Sequence, residues 1–296
     1  MKKPHLLTGA LTVLFFSLPG WAVSETPENF EKENLVAWCI VPFDATKRSP
    51  AERAAMLEEI GLKRCAYDWR QEHVPTFEQE ILEYRKHGIE YFAFWGQHEE
   101  AFKLFEKYDL HPQIWMTLRP GKGETEAEMI AGAADQLEPL AKRCAALGCQ
   151  LGLYNHGGWG GEPENLVAVC REMRKRGHEH VGIVYNFHHA HDRIDDWEKV
   201  FPLMKPYLLC LNLDGMVKGG DKKGKMILPL GQGDEELGMI RFVIRSGYKG
   251  PIGILDHRND TDTALALRDN LDGLAWLLKE IEKPGSGGEK PTPRAP

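Results

Sequence analysis

Short apolar runs alternate with amphipathic stretches eight times along the chain. The runs are LVAWCIV from Leu35, KRCAY from Lys63, IEYFAFW from Ile89, QIWMTL from Gln113, QLGLYN from Gln150, VGIVYNF from Val181, YLLCLNL from Tyr207 and PIGILD from Pro251. Each is brief and apolar throughout, the pattern of a parallel strand covered on both faces rather than of a half-exposed antiparallel one. The stretches between them carry helix punctuation. Ser49, Pro50 and Glu52 form a capping box with proline at the first helical position, where no N–H is needed, and Gly61 closes that helix. Thr76 with Gln79 predicts a second box, and Gly88, Gly148, Gly177 and Gly247 stand where left-handed residues end helices. Strand then helix, repeated eight times within roughly 250 residues, predicts a single-domain (β/α)₈ TIM barrel. A doubly wound open sheet is the rival, but no GxGxxG follows the first strand.

The ends of the chain have a different texture. Lys2 and Lys3 precede the apolar run LLTGALTVLFFSLPGWA, so residues 1–22 read as a secretory signal. A membrane anchor fits less well, because Pro19 and Gly20 break a short run. An exported chain, periplasmic or secreted and without stable membrane insertion after cleavage, is therefore expected. Residues 23–34 lead into a barrel over 35–282, and the Pro- and Gly-rich 283–296 is expected to be a disordered tail.

The formal net charge is −7, and loss of Lys2 and Lys3 would make it −9, a balance that argues against a nucleic-acid partner. Cys39, Cys65 and Cys210 fall inside the predicted strands, where a thiol packs as a small apolar group. Cys144, Cys149 and Cys170 cluster about the fifth strand, as buried thiols or with one disulfide among them. No CxxC supports a zinc or redox motif.

The segments KRCAYDWR, LYNHGGW, YNFHHAHD and GYKGPIGILDH resemble the xylose isomerase-like TIM barrels, which include sugar phosphate isomerases and epimerases and relatives of endonuclease IV. The resemblance runs from about Leu35 to Leu278. It implies a divalent metal held by a Glu on the fifth strand, an Asp on the sixth, a His on the seventh and a Glu on the eighth. At those places this chain has Tyr154, Asn186, Leu211 or Asn212, and Leu255 followed by Asp256.

Alternation along a strand offers other chemistry. If Tyr154, Asn186 and Leu255 point inward, His156, His188 and His257 follow on the same face, and Asp214 shares a face with Asn212. His156, His188, Asp214 and His257 are the candidate catalytic groups. They could form a replacement site for a divalent transition metal or carry out metal-free acid–base chemistry with neutral and protonated imidazoles. His156 or His188 would be the base and Asp214 an orienting group; a vestigial barrel is the remaining reading. Because neighbouring residues face apart, at most part of His188–His191 is expected in one site.

Trp69, Trp95 and Trp159, near strand ends, are candidates for stacking on a sugar ring, whereas Trp38 and Trp115 sit early in strands and read as core. Arg119 offers a planar fork for an anion; Tyr154, Asn186, Asn212 and Asp256 complete the expected substrate contacts. The lysine-rich stretch from Gly219 is placed to act as a lid. The resemblance implies a small-molecule carbohydrate substrate and isomerase, epimerase or related lyase chemistry, with a non-catalytic sugar-binding barrel as the alternative.

Overall fold

The computed structural model describes residues 26–294. Eight parallel strands close a barrel in sequence order: β1 (Leu35–Trp38), β2 (Arg64–Tyr67), β3 (Glu90–Trp95), β4 (Gln113–Thr117), β5 (Leu151–Tyr154), β6 (Val181–Asn186), β7 (Leu208–Leu213) and β8 (Ile252–Leu255). Eight helices ring it: α1 (Pro50–Ile60), α2 (Phe77–Lys86), α3 (Glu99–Tyr108), α4 (Glu126–Ala146), α5 (Pro163–Lys175), α6 (Trp197–Met204), α7 (Glu236–Arg245) and α8 (Thr263–Glu282). This is the (β/α)₈ architecture that the apolar runs predict.

The strand residues divide cleanly between two cores. Val36, Trp38, Phe92, Trp115, Tyr154, Val184, Cys210 and Leu255 pack together inside the barrel, in a cluster that draws on no helix. Their outward neighbours, among them Ala37, Leu153, Tyr185, Leu211 and Ile254, pack against the helices. Two glycines make the inner packing possible. A Cβ at Gly152 would lie 2.6 Å from Val184 and 2.9 Å from the Trp115 ring, and one at Gly253 would lie 1.8 Å from Asn212 Oδ1. Inside a barrel, glycine opens the volume that a neighbour's large or polar side chain takes.

The Ser49 box is formed, with Glu52 N donating to Ser49 Oγ and the Glu52 carboxylate accepting from Ser49 N. The box expected at Thr76 is not: its hydroxyl donates backward to His73 O at 2.9 Å, because a 3₁₀ turn (Gln71–Thr76) runs directly into α2. Thr125 and Glu128 instead box the start of α4. Gly88, Gly148, Gly177 and Gly247 all have positive φ, between 64° and 87°.

The expected signal segment, residues 1–22, lies outside the described residues. The stretch from Lys283 to Arg294 corrects the expectation of a disordered tail. It folds back along α8, with Gly285 N and Gly287 N donating to the Glu280 carboxylate and Arg294 paired with Asp269 at 2.7 Å. Gln232 also donates to Pro291 O, at 2.6 Å. Polar partners hold this segment, so no apolar period announces it. All six cysteines are buried free thiols, Cys144, Cys149 and Cys170 included. Among the described residues no helix is long and apolar enough to cross a membrane.

Candidate functional site

At the C-terminal mouth of the barrel a cavity of about 250 Å³ is lined by Trp38, Cys39, Phe43, Asp68, Arg70, Trp95, Tyr154, His156, His188, His189 and His257. The aromatic residues form its floor and one wall. Trp95 stands edge-on to Tyr154 with centroids 4.7 Å apart, Trp38 lies 5.8 Å from Trp95, and Trp38 Nε1 donates to the Tyr154 hydroxyl at 3.2 Å. The imidazoles lie beside them, His189 5.9 Å and His156 6.2 Å from the Tyr154 ring. His188 and His189 lie 3.8 Å apart by ring centroid, His189 and His156 4.6 Å, and His188 and His257 5.8 Å. Arg70 sits over Phe43, which in turn packs 3.9 Å from His257.

Burial acts first on three of these imidazoles. His188 is held well below the usual imidazole range, first by burial and then by the other histidines. His189 is pushed down to about 3 by the same causes, and His257 is lowered by burial and by Arg70. These three are therefore held toward the neutral form, in which an imidazole both donates and accepts a hydrogen bond.

The cavity also holds a carboxyl group, Asp68, which the sequence reading does not single out. It is 2 % exposed, and burial raises its carboxyl to about 8, so it is mostly protonated at pH 7. Its Oδ1 accepts from Val41 N at 3.3 Å, but Oδ2 has no protein partner. His188 Nδ1 and His257 Nδ1 are likewise buried and unpartnered. What these residues share is the cavity: Asp68, His188 and His257 all line it, from the ends of three different strands. A sequence signal for Asp68 existed: Ala66 packs in the inner cluster, so alternation carries Asp68 to the same face in the segment KRCAYDWR. Cys39, also at the cavity, has φ 58°, a left-handed backbone rare outside glycine, while its thiol is raised well above the ordinary range by burial. It is a neutral wall group rather than a nucleophile.

The other nominated residues scatter. His156, His188, His257, Trp95 and Tyr154 line the cavity, and Trp38, packed in the inner core, borders it as well. His189 enters beside His188 because residues 187–189 form a 3₁₀ turn, where the two-residue alternation of a strand no longer applies. His191 leaves the site and accepts or donates at Val217 O and Met226 O, 2.9 and 3.0 Å away, pinning the lysine-rich loop that contributes no residue to the cavity. Asp214 is buried behind the mouth with Oδ2 accepting from Leu228 N at 3.2 Å, and does not orient an imidazole. Trp69 packs outside the barrel on Phe77 and Phe94, donating to Trp95 O at 2.7 Å, and Trp159 joins the barrel–helix core. Asp256 faces α8, accepting from Thr263 Oγ1 at 3.0 Å. Asn186 and Asn212 form a buried amide chain with Asn155: Asn212 Nδ2 donates to Asn186 Oδ1 at 2.7 Å, and Asn186 Nδ2 to Asn155 Oδ1 at 2.9 Å. Arg119 lines a second cavity that shares Trp95.

Residues 40–280 match the family model described as xylose isomerase-like TIM barrel. The chain belongs to this family. Among solved structures, it is similar to the 3-keto-D-glucoside 4-epimerase from E. coli, at 14% identity over 82% of this chain and 98% of that one, with a TM-score of 0.60. The IOLI protein with a bound zinc atom matches at 12% identity over 83% and 98%, TM-score 0.64. The D-psicose 3-epimerase from Clostridium cellulolyticum H10 matches at 11% identity over 83% and 98%, TM-score 0.57. Likeness at these identities is one of fold. No curated protein matches the sequence.

Membership makes the metal question concrete. Asn186 pairs in register with Asn212, and Leu211 faces the helices, so the seventh-strand position is Asn212. The four places are then a phenol, two amides and an alkyl chain. Tyr154 is raised well above the ordinary phenol range by burial, and the amides are engaged with each other, with Asn155 and with Cys210, so the set offers no anionic ligand. These residues do not fit the family's metal. Nor, among the described residues, do three His, Cys, Asp or Glu side chains converge to hold one elsewhere, the imidazole wall included.

Proposed function

We propose that the mouth cavity takes a monosaccharide-sized carbohydrate and that the protein is a sugar isomerase or epimerase that moves protons without a metal at the family position. The observation that carries this reading is the convergence of Asp68, His156, His188 and His257 with Trp38, Trp95 and Tyr154 on one cavity at the barrel mouth. Flat apolar faces with a few converging polar groups suit a sugar ring, and a cavity of about 250 Å³ suits a small polyol better than a polymer. Family membership and the sugar epimerases among the similar folds support the same class.

The chemistry follows from protonation. Asp68, protonated, donates to a carbonyl oxygen, with Arg70 adding positive charge from the rim. A neutral imidazole of His188 or His257 accepts the proton from the adjacent carbon, giving an enediol; return of that proton to another carbon or the other face completes isomerisation or epimerisation. Departure of a neighbouring group instead would make the reaction a lyase. The depressed basicity of His188 and His189 favours a second reading, a barrel that binds sugar and does not turn it over.

The test is to incubate the protein with keto- and aldo-sugars and oxidised glycosides in deuterated buffer, before and after chelator treatment. Expected is exchange of a carbon-bound proton that chelation leaves unchanged. Binding without exchange would move the protein to the second reading. Export belongs to the same proposal: mass spectrometry of the exported fraction should find a chain beginning near Val23, and an intact Met1 there would overturn it.

A further inference from the structure

Beside the first cavity lies a second, of about 260 Å³, lined by Trp95, Gly96, Trp115, Met116, Thr117, Arg119, Ala133, Gln136 and Leu137. Trp95 is the wall between them, since it lines both. It is a fixed wall. Tyr154 and Trp38 brace the ring from the first cavity, Trp69 Nε1 donates to its carbonyl, and Gly96 N donates to Trp115 O at 2.7 Å just beyond it.

The far side of the second cavity is equally built. Gly121 packs so closely on α4 that a Cβ there would lie 2.4 Å from Gly132, and Gly121 N donates to Met129 O at 2.9 Å. That contact holds the loop carrying Arg119 against the helix. Arg119 is exposed at the rim, and the nearby acids of α4 are engaged elsewhere, Asp135 and Glu138 both pairing with Arg176 at 2.7 and 3.2 Å. Its guanidinium is thus left, among the described residues, without an acidic partner at a cavity whose lining combines Met116 and Leu137 with Thr117 and Gln136, over the buried Trp115 and Ala133.

We infer that the second cavity is a subsite for the aglycone of a glycoside, and that it prefers a flat apolar group bearing an acidic substituent. The inference rests on the carbohydrate reading for the first cavity and extends it. Because Trp95 borders both cavities, a sugar in the first would carry its substituent over the rim of that wall into the second, where Met116 and Leu137 meet the apolar body and Arg119 takes a carboxylate or sulfate with its planar fork. The substrate class becomes an acidic glycoside rather than a free monosaccharide.

The test compares binding of D-glucose, methyl, phenyl and 4-carboxyphenyl β-D-glucosides, the matching galactosides, and benzoate alone. Arg119→Ala and Gln136→Trp are the variants; both positions are exposed, so folding is preserved. For one sugar series the 4-carboxyphenyl glycoside should bind about tenfold tighter than the phenyl one, with that step lost in Arg119→Ala, and Gln136→Trp should remove the advantage of both aryl glycosides over the methyl glycoside. Binding of all glycosides equal to the methyl one would overturn the subsite while leaving the sugar reading intact. If only benzoate binds, and does so through Arg119, the sugar reading falls and the anion-accepting cavity stands. If neither benzoate nor any acidic glycoside distinguishes wild type from Arg119→Ala, the subsite is refuted.

Discussion

His188 and His257 meet edge to face with ring centroids 5.8 Å apart, and each leaves Nδ1 buried without a protein partner. They come from different strand ends, after β6 and β8, and only barrel closure brings them together. A group that accepts a proton in the transition state contributes little to ground-state affinity. His188→Gln is therefore expected to lower turnover about 10²-fold while sugar affinity changes less than threefold. Equal losses in both would make His188 a binding residue.

Asp68 predicts a pH dependence whose sign is opposite to the common one for carboxylates. Its carboxyl is raised from 3.8 in the unfolded chain to about 8 in the folded protein, so the folded state holds a proton that the unfolded state has lost. Between those values stability falls as pH rises, because the unfolded chain gives up a proton that burial keeps on the folded one; the contribution is fully present below about 4 and gone above about 8. Between pH 6 and pH 9 the wild type should lose roughly 3 kcal/mol more than Asp68→Asn in urea unfolding. Parallel pH curves for the two proteins would show that Asp68 is already ionised. The same variant should lose turnover below pH 8, where the wild-type acid is protonated.

The barrel was legible because its signals are local. Eight apolar runs and the glycine stops need only period and backbone conformation, and the structure follows both. The site was legible where a strand simply continued: Tyr154 to His156 and Leu255 to His257 keep their alternation to the rim. It failed where the backbone changed. The 3₁₀ turn after Asn186 admits His189, and the β7 end buries Asp214 under the loop that Leu228 closes. Tryptophan misled for another reason. Trp38 and Trp115 pack in the inner core as their early places in the runs suggest, but Trp69, beyond the end of β2, faces outward and packs on Phe77 instead of a ligand. Asp68 went unnoticed because its power comes from burial, which no single residue type displays.

Asn186 supplies the sharpest test of how far the chain has moved from its family's metal chemistry. Asn186→Asp puts an acid at the sixth-strand position where the family pattern has one. In the present amide chain, however, Asn155 Oδ1 already accepts from Asn186 N at 2.7 Å and from Asn186 Nδ2 at 2.9 Å. Asn155 cannot turn its amide to help, since its Nδ2 donates to Asn186 O at 3.1 Å. The new carboxylate would set oxygen against oxygen in a place 0 % exposed. An uncompensated buried charge costs on the order of 3–5 kcal/mol, so the variant should melt well below the wild type and recover as pH falls and the acid is protonated. Added zinc, manganese or magnesium should not restore it, because Tyr154, Asn212 and Leu255 complete no ligand set. Rescue of the melting temperature by any of these ions would mean that the family's site survives in a form one substitution can reopen.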